Sequence, residues 1–239
     1  MARPEIGDRR ETVTMISMRR STPTEWWVGW VERLIFLLPF VVGFGAVALV
    51  QYVPFPALDR LALFAAGVGA LAIRLGIPVA LWLDARAVDR SAVAWEPSRW
   101  LYALGALLVS APLVALVDLY RRHDRVARTP KGRWWHSLVW VALVVGIAGI
   151  VAGIAAVVIA LTLGEGAASV AVGAVALLAG TSAGIFPASI YRDALYVRER
   201  STTWRPNPAV YLAAALVGLG TGVLQPVVAG YYLYQRRRL

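Results

Sequence analysis

Two aspartates stand out first, because each has an arginine close by and each precedes a tryptophan and a proline at matching distances. Asp84 lies near Arg86 and Asp193 lies beside Arg192. As an equivalent pair they could form a symmetric ion or anion site, although exposed Asp and Arg are ordinarily only paired or solvated. Inside apolar runs the chain offers Arg74, Asp118 and Gln225. Such groups are costly in lipid and face the interior or escape to the interface. Arg74 is the deepest. It is expected either to snorkel to the nearer surface or to meet Asp118 or a substrate carboxylate inside. Asp118 lies close to Arg121 and Arg122 and is expected to pair with one of them at the surface. Gln225, just before Pro226, is placed to hydrogen-bond the carbonyl that the proline frees.

Catalytic chemistry finds little support. His123 and His136 are the only histidines, and cysteine is absent, so thiolate metal sites, disulfides and Cys nucleophiles are excluded. Two imidazoles without a carboxylate cluster do not define a metal site. There is no HExxH, no GxSxG and no Walker loop, and the glycines of "GVGA" and "GLGTG" fit close helix packing better than phosphate binding. The sequence therefore predicts no catalytic, cofactor-binding or metal-binding residue, and a protein that is not an enzyme.

The elements that must position these residues are membrane helices. The chain is 59% hydrophobic and 16% charged, with a mean hydropathy of +0.64, too apolar for an ordinary soluble domain. Its net charge of +10 would suggest nucleic acid in a soluble protein. Here the basic residues lie between apolar runs, where they meet anionic lipid headgroups instead. Apolar stretches cover 28–53, 61–83, 100–119, 136–163, 167–190 and 209–234. Each approaches or exceeds the roughly 20 residues that cross the hydrocarbon as a helix. An all-α integral membrane protein with six membrane-inserted helices is expected, since none of the stretches alternates as a barrel strand would.

The tryptophans supply an internal repeat. "WEPSRWLY" at Trp95 to Tyr102 returns as "WRPNPAVY" at Trp204 to Tyr211. A constant shift of 109 residues superimposes Trp95 on Trp204, Pro97 on Pro206, Tyr102 on Tyr211 and Asp84 on Asp193. The paired tryptophans Trp26–Trp27 and Trp134–Trp135 open the first run of each copy, and "DLYRRH" around Tyr120 resembles "YLYQRRR" around Tyr234. The reading is a tandem duplication of a three-helix unit: a polar basic tail over 1–25, a first unit over 26–123, an Arg-rich connection over 124–133 and a second unit over 134–239. The repeated stretch itself reads as structural, with interfacial aromatic rings and a proline at a helix start.

Topology has two solutions. If all six helices cross, the units are inverted, as in many secondary transporters, but the positive charges then divide almost evenly between the two sides, against the positive-inside rule. If the third segment of each unit dips in and returns, the Arg-rich loops gather on one side and the units are parallel. "VSAPL" with Pro112 and "GLGTGVLQP" with Pro226 permit such breaks. Segment length favours crossing, and that is the preferred expectation, with the N-terminus in the cytoplasm.

The stretch "YRDALYVRERSTTWRPNPAVYLAAALVG…VVAGYYLYQRRR", from Tyr191 to Arg238, resembles uncharacterised multi-pass membrane proteins of halophilic archaea, in which a Trp-x-Pro-Asn-Pro stretch leads into a helix ending in Tyr-Leu-Tyr-x-Arg-Arg. In the first unit Ser98 and Arg99 stand where the pattern has Asn207 and Pro208. The resemblance implies an archaeal plasma membrane and no assigned activity. The expected function is a non-enzymatic scaffold or accessory subunit, its partners the lipid bilayer, anionic headgroups and a membrane protein or second copy, with no nucleic acid and no cofactor. The alternative is a small-solute or ion transporter or channel with a site between the units.

Overall fold

A computed structural model describes residues 23–50, 56–90, 95–125, 132, 134–163, 165–221 and 223–239. The basic tail through residue 22 and most of the Arg-rich connection lie outside the described residues. Those that are described form helices joined by short turns, with no strand among them. In chain order these are α1 (Pro23–Phe36), α2 (Leu38–Val50), α3 (Pro56–Asp89), α4 (Arg99–Leu108), α5 (Ala111–Arg125), α6 (Trp135–Leu163), α7 (Glu165–Arg200), α8 (Pro208–Gly218) and α9 (Leu224–Arg236).

Three stretches among the described residues are long and apolar enough to cross a membrane: Glu25–Gly45, Arg60–Asp89 and Trp135–Thr162. The first joins α1 to α2. Leu37 breaks the helix only slightly, because its N–H reaches the Arg33 carbonyl at 3.2 Å and its own carbonyl accepts from Val41 at 3.0 Å. The outer surfaces of these helices carry large apolar side chains such as Phe64, Leu71, Val144 and Leu161, the composition that a lipid-facing surface requires. The α1–α2 helix pairs with α3, and α6 pairs with α7.

The third segment of each half does not run straight through. In a continuous helix Tyr102 and Arg121, nineteen residues apart, would be separated by about 28 Å. Instead the Arg121 Nη1 donates to the Tyr102 hydroxyl at 3.4 Å, and α4 and α5 pack against each other. Likewise the rings of Tyr211 and Tyr232 lie 4.9 Å apart, across α8 and α9. Both third segments are helical hairpins, and the preferred expectation of straight crossing fails. The cause is local. Ser110 Oγ accepts from the Leu113 N–H at 3.5 Å, starting a new helix in which Pro112 sits in the first turn, where its missing N–H costs nothing. Thr221 Oγ1 accepts from the Leu224 N–H at 3.4 Å, and Pro226 follows in the first turn of α9. With 10 to 15 residues each, the hairpin arms reach roughly half to three quarters of the way through about 30 Å of hydrocarbon.

The repeated tryptophan stretches bring the chain into these hairpins. Each helix begins two residues after the repeated proline, with Ser98 and Asn207 as N-caps whose side chains accept from Leu101 and Ala209. The rings sit deeper than the interfacial reading supposed. Trp95 and Tyr102 are buried, and Trp204 is half-buried between Tyr211 and Tyr232, with ring centroids 6.2 Å and 5.4 Å away.

Candidate functional site

Because α1, α4, α6 and α8 start, and α3, α5, α7 and α9 finish, at one end of the bundle, the buried charged side chains collect there. Three clusters result, all close to the same end.

The first cluster lies between the two halves. Glu32 on α1 is fully buried and accepts a hydrogen bond from the Tyr191 hydroxyl of α7 at 2.6 Å. Its second carboxylate oxygen meets Arg192 at 2.8 Å. The chain of contacts continues, since the Tyr191 hydroxyl is 2.9 Å from His123 Nε2 at the end of α5. Phe36 covers the group, its ring 5.6 Å from that of Tyr191. The sequence alone did not single out Glu32, as its partners are about 160 positions away.

The second and third clusters are built on the repeated aspartates. Asp84, buried near the end of α3, is ion-paired with the buried Arg122 of α5. Asp193, buried near the end of α7, pairs with Arg236 of α9 at 2.7 Å and accepts from the Tyr232 hydroxyl at 2.7 Å. The expected neighbours Arg86 and Arg192 are therefore not the partners. A helix points successive side chains in different directions, and the arginines that face these aspartates come from the folded-back arms. Arg86 stacks over Trp82, 5.5 Å from the ring centroid, and Arg192 is taken by Glu32.

In each hairpin the residue four positions before the pairing arginine lies on the same helix face. In the second this is Tyr232, which completes the Asp193 cluster. In the first it is Asp118, which is 4% exposed and has a carboxylate oxygen with no hydrogen-bond partner among the described residues. The expected surface pairing with Arg121 or Arg122 is corrected, because Arg122 is turned to Asp84 and Arg121 to Tyr102.

The other candidates fall elsewhere. Arg74 is exposed on the outer face of α3, about 15 Å along the helix from Asp84, so it is not an internal partner for Asp118. Gln225 is buried at the tip of the second hairpin, where its Oε1 accepts from Ser182 Oγ at 3.3 Å rather than its amide capping a freed carbonyl. Ser182 also reaches the Ala142 carbonyl at 3.3 Å. Surface hollows open at the polar end, one of them lined by Trp134, His136, Ser137, Arg236 and Arg237. Arg237 lies over the Trp140 ring at 4.9 Å. Among the described residues no three His, Cys, Asp or Glu side chains converge as a metal site would need.

Compared with protein families, curated proteins and solved structures, the chain matches none.

Proposed function

We propose that the chain is a non-enzymatic, multi-pass component of the plasma membrane, a scaffold or accessory subunit that presents an arginine-rich face to anionic headgroups and to a membrane-protein partner or second copy. The observation that carries this reading is the placement of charge. Arg74, the one cation deep in an apolar run, faces outward, while the buried ionic groups lie at one end and are tied between helices. A transporter needs polar groups around a water-accessible path at mid-membrane. The described interior offers there only Ser182 and Gln225, bonded to each other.

Two parallel copies of a three-helix unit fit this reading, with each third segment re-entrant. In that arrangement the polar end, with Arg121, Arg125, Arg198, Arg200 and Arg236 to Arg238, faces the cytoplasm, as the positive-inside rule requires. The hollow at Trp134, His136 and Arg237 then sits at headgroup depth, where aromatic rings and guanidinium groups hold anionic lipid. The likeness to halophilic archaeal proteins points to an archaeal membrane.

The test pairs two measurements on the full chain. Reconstituted in vesicles, it should leave ion and pH gradients decaying as in protein-free vesicles. In its native membrane, a photo-crosslinker at exposed Trp100 should capture one discrete membrane protein or a second copy. A protein-dependent, saturable flux would overturn the proposal in favour of the transporter reading.

A further inference from the structure

The first hairpin buries two carboxylates, Asp84 and Asp118, beside one buried guanidinium. Asp84 and Asp118 sit in the same buried place with Arg122, which is 1% exposed and ion-paired to Asp84. Asp118 lies within electrostatic reach of both, and of the solvent-exposed Arg121. The surrounding charged and titratable groups are already committed. Arg121, exposed, donates to Tyr102 of α4. Glu32 of α1 is paired with Tyr191 and Arg192 of α7. His123, next along α5, meets that same Tyr191 hydroxyl. Asn207, at the start of α8, bonds the Tyr120 carbonyl and Asp124 at the rim. Two carboxylates against one buried guanidinium leave a negative charge in a place where an uncompensated ion costs several kcal/mol.

The second hairpin fills the corresponding position differently. There Tyr232 stands four residues before Arg236, as Asp118 stands four before Arg122, and its hydroxyl hydrogen-bonds Asp193 directly. One aspartate, one arginine and one neutral donor balance. In the first hairpin an acceptor-only carboxylate replaces the donor, with one oxygen buried and without a partner. What is missing beside Asp118 is a single positive charge small enough to enter a packed interior.

We propose that Asp118 is the binding site of one monovalent cation, a proton or a sodium ion, held against Asp84 and Arg122. A divalent ion is excluded by charge, since it would convert an excess negative charge into an excess positive one. Three His, Cys, Asp or Glu ligands are also not gathered among the described residues. Access is short, because Tyr120 and Arg121, the next residues but one and two along α5, are exposed.

The experiment uses the full chain in lipid nanodiscs. Thermal unfolding is followed while Na⁺ replaces choline at constant pH and ionic strength, and separately while pH is varied in choline alone. A saturable rise of the wild-type midpoint with Na⁺ supports sodium as the ligand, and a rise with acid alone supports the proton. In either case Asp118→Asn, which keeps the shape and removes the charge, should lose that response and unfold no earlier than wild type without ligand. Because a variant can fail for other reasons, wild-type protein is also treated with a hydrophobic carbodiimide, which reacts with protonated carboxyl groups, and mapped by mass spectrometry. Modification at Asp118, either insensitive to Na⁺ or blocked by it, supports the proton or sodium arm respectively. The proposal is overturned if Asp118→Asn keeps the wild-type responses, or if the wild-type midpoint follows neither cation and Asp118 stays unmodified.

Discussion

Glu32 makes the sharpest test of how the two halves of the chain are joined. Its carboxylate has no solvent exposure and serves two groups of α7, the Tyr191 hydroxyl and the Arg192 guanidinium. Replacing it with alanine takes the carboxylate away from both. Removing one partner of a buried ion pair costs about 3–5 kcal/mol. Since the Arg192 side chain is 26% exposed and regains some water, the lower figure, about 3 kcal/mol, is expected. For a chain of this size each kcal/mol shifts the midpoint by about 2–4 °C, so Glu32→Ala should unfold about 6–12 °C lower. Glu32→Gln keeps an acceptor for Tyr191 and should lose only about half as much, the value of a hydrogen bond to a charged group. Tryptophan fluorescence during heating in one fixed detergent reads both variants. Adding Arg192→Met to Glu32→Ala should cost little more than the first change alone, since the pair acts as a unit. If Glu32→Ala melts with wild type, or if the two changes simply add, Glu32 does not latch the halves together.

Three further outcomes follow from the packing. Arg74→Leu, on an outward face, should change stability by no more than about 0.5 kcal/mol, and a severe loss by the same unfolding measurement would mean that Arg74 has an internal partner. A side chain at Gly218 would meet Gln225, with its Cβ 3.0 Å from Cγ and 3.2 Å from the backbone nitrogen, so Gly218→Val should wedge the second hairpin and cost about 1–3 kcal/mol; unchanged unfolding would refute the close approach. Single cysteines at Ser98, Arg128, Gly166 and Asn207 of this Cys-free chain, labelled with an impermeant thiol reagent from outside, should react at Gly166 alone, whereas labelling at Arg128 and Asn207 would restore six straight crossings.

How far the fold could be read depended on whether the deciding interaction was local. The long apolar runs and the helix starts after Pro97 and Pro206 are written in neighbouring residues, and they were legible. Pro112 and Pro226 marked the breaks, but a proline in an apolar segment is equally compatible with a kink. For the first hairpin the missing signal stood beside the proline: Ser110 caps the helix that holds Pro112, and serine followed by proline two residues later is a helix start. Read that way, "VSAPL" begins a second helix instead of bending the first.

The site was half legible for the same reason. Asp84 and Asp193 were singled out by the repeat, yet their arginines are reached only after the hairpin folds back, 38 and 43 positions along the chain. Neighbouring Arg86 and Arg192 looked closer in sequence and point elsewhere. Glu32 gave no sign at all, because a glutamate at the edge of an apolar run reads as a surface residue until Tyr191 arrives from the other half.

Breaking a helix in an apolar surrounding strands N–H and C=O groups that lipid cannot satisfy. The second hairpin answers this with turns of its own: Leu219, Gly220 and Thr221 donate to the carbonyls of Leu216, Val217 and Gly218 at 3.2–3.3 Å, and the Thr221 hydroxyl accepts from the N–H of Leu224, the first residue of α9. Its tip can then pack against α6, where Gly146 leaves room for Pro226, 3.6 Å from where a Cβ would stand. Ser182 bonds Gln225 across from α7. In the first hairpin Val109 donates to Gly105 at 2.9 Å and Val114 to Ser110 at 3.0 Å, so only the two-residue turn between them is unwound. The polar cost at the tips is thus kept small by local bonds. The arginines that close the arms then meet Asp84 and Asp193 at the end where the chain enters and leaves, which makes the polar end, rather than the centre of the bundle, the place to look for what this protein binds.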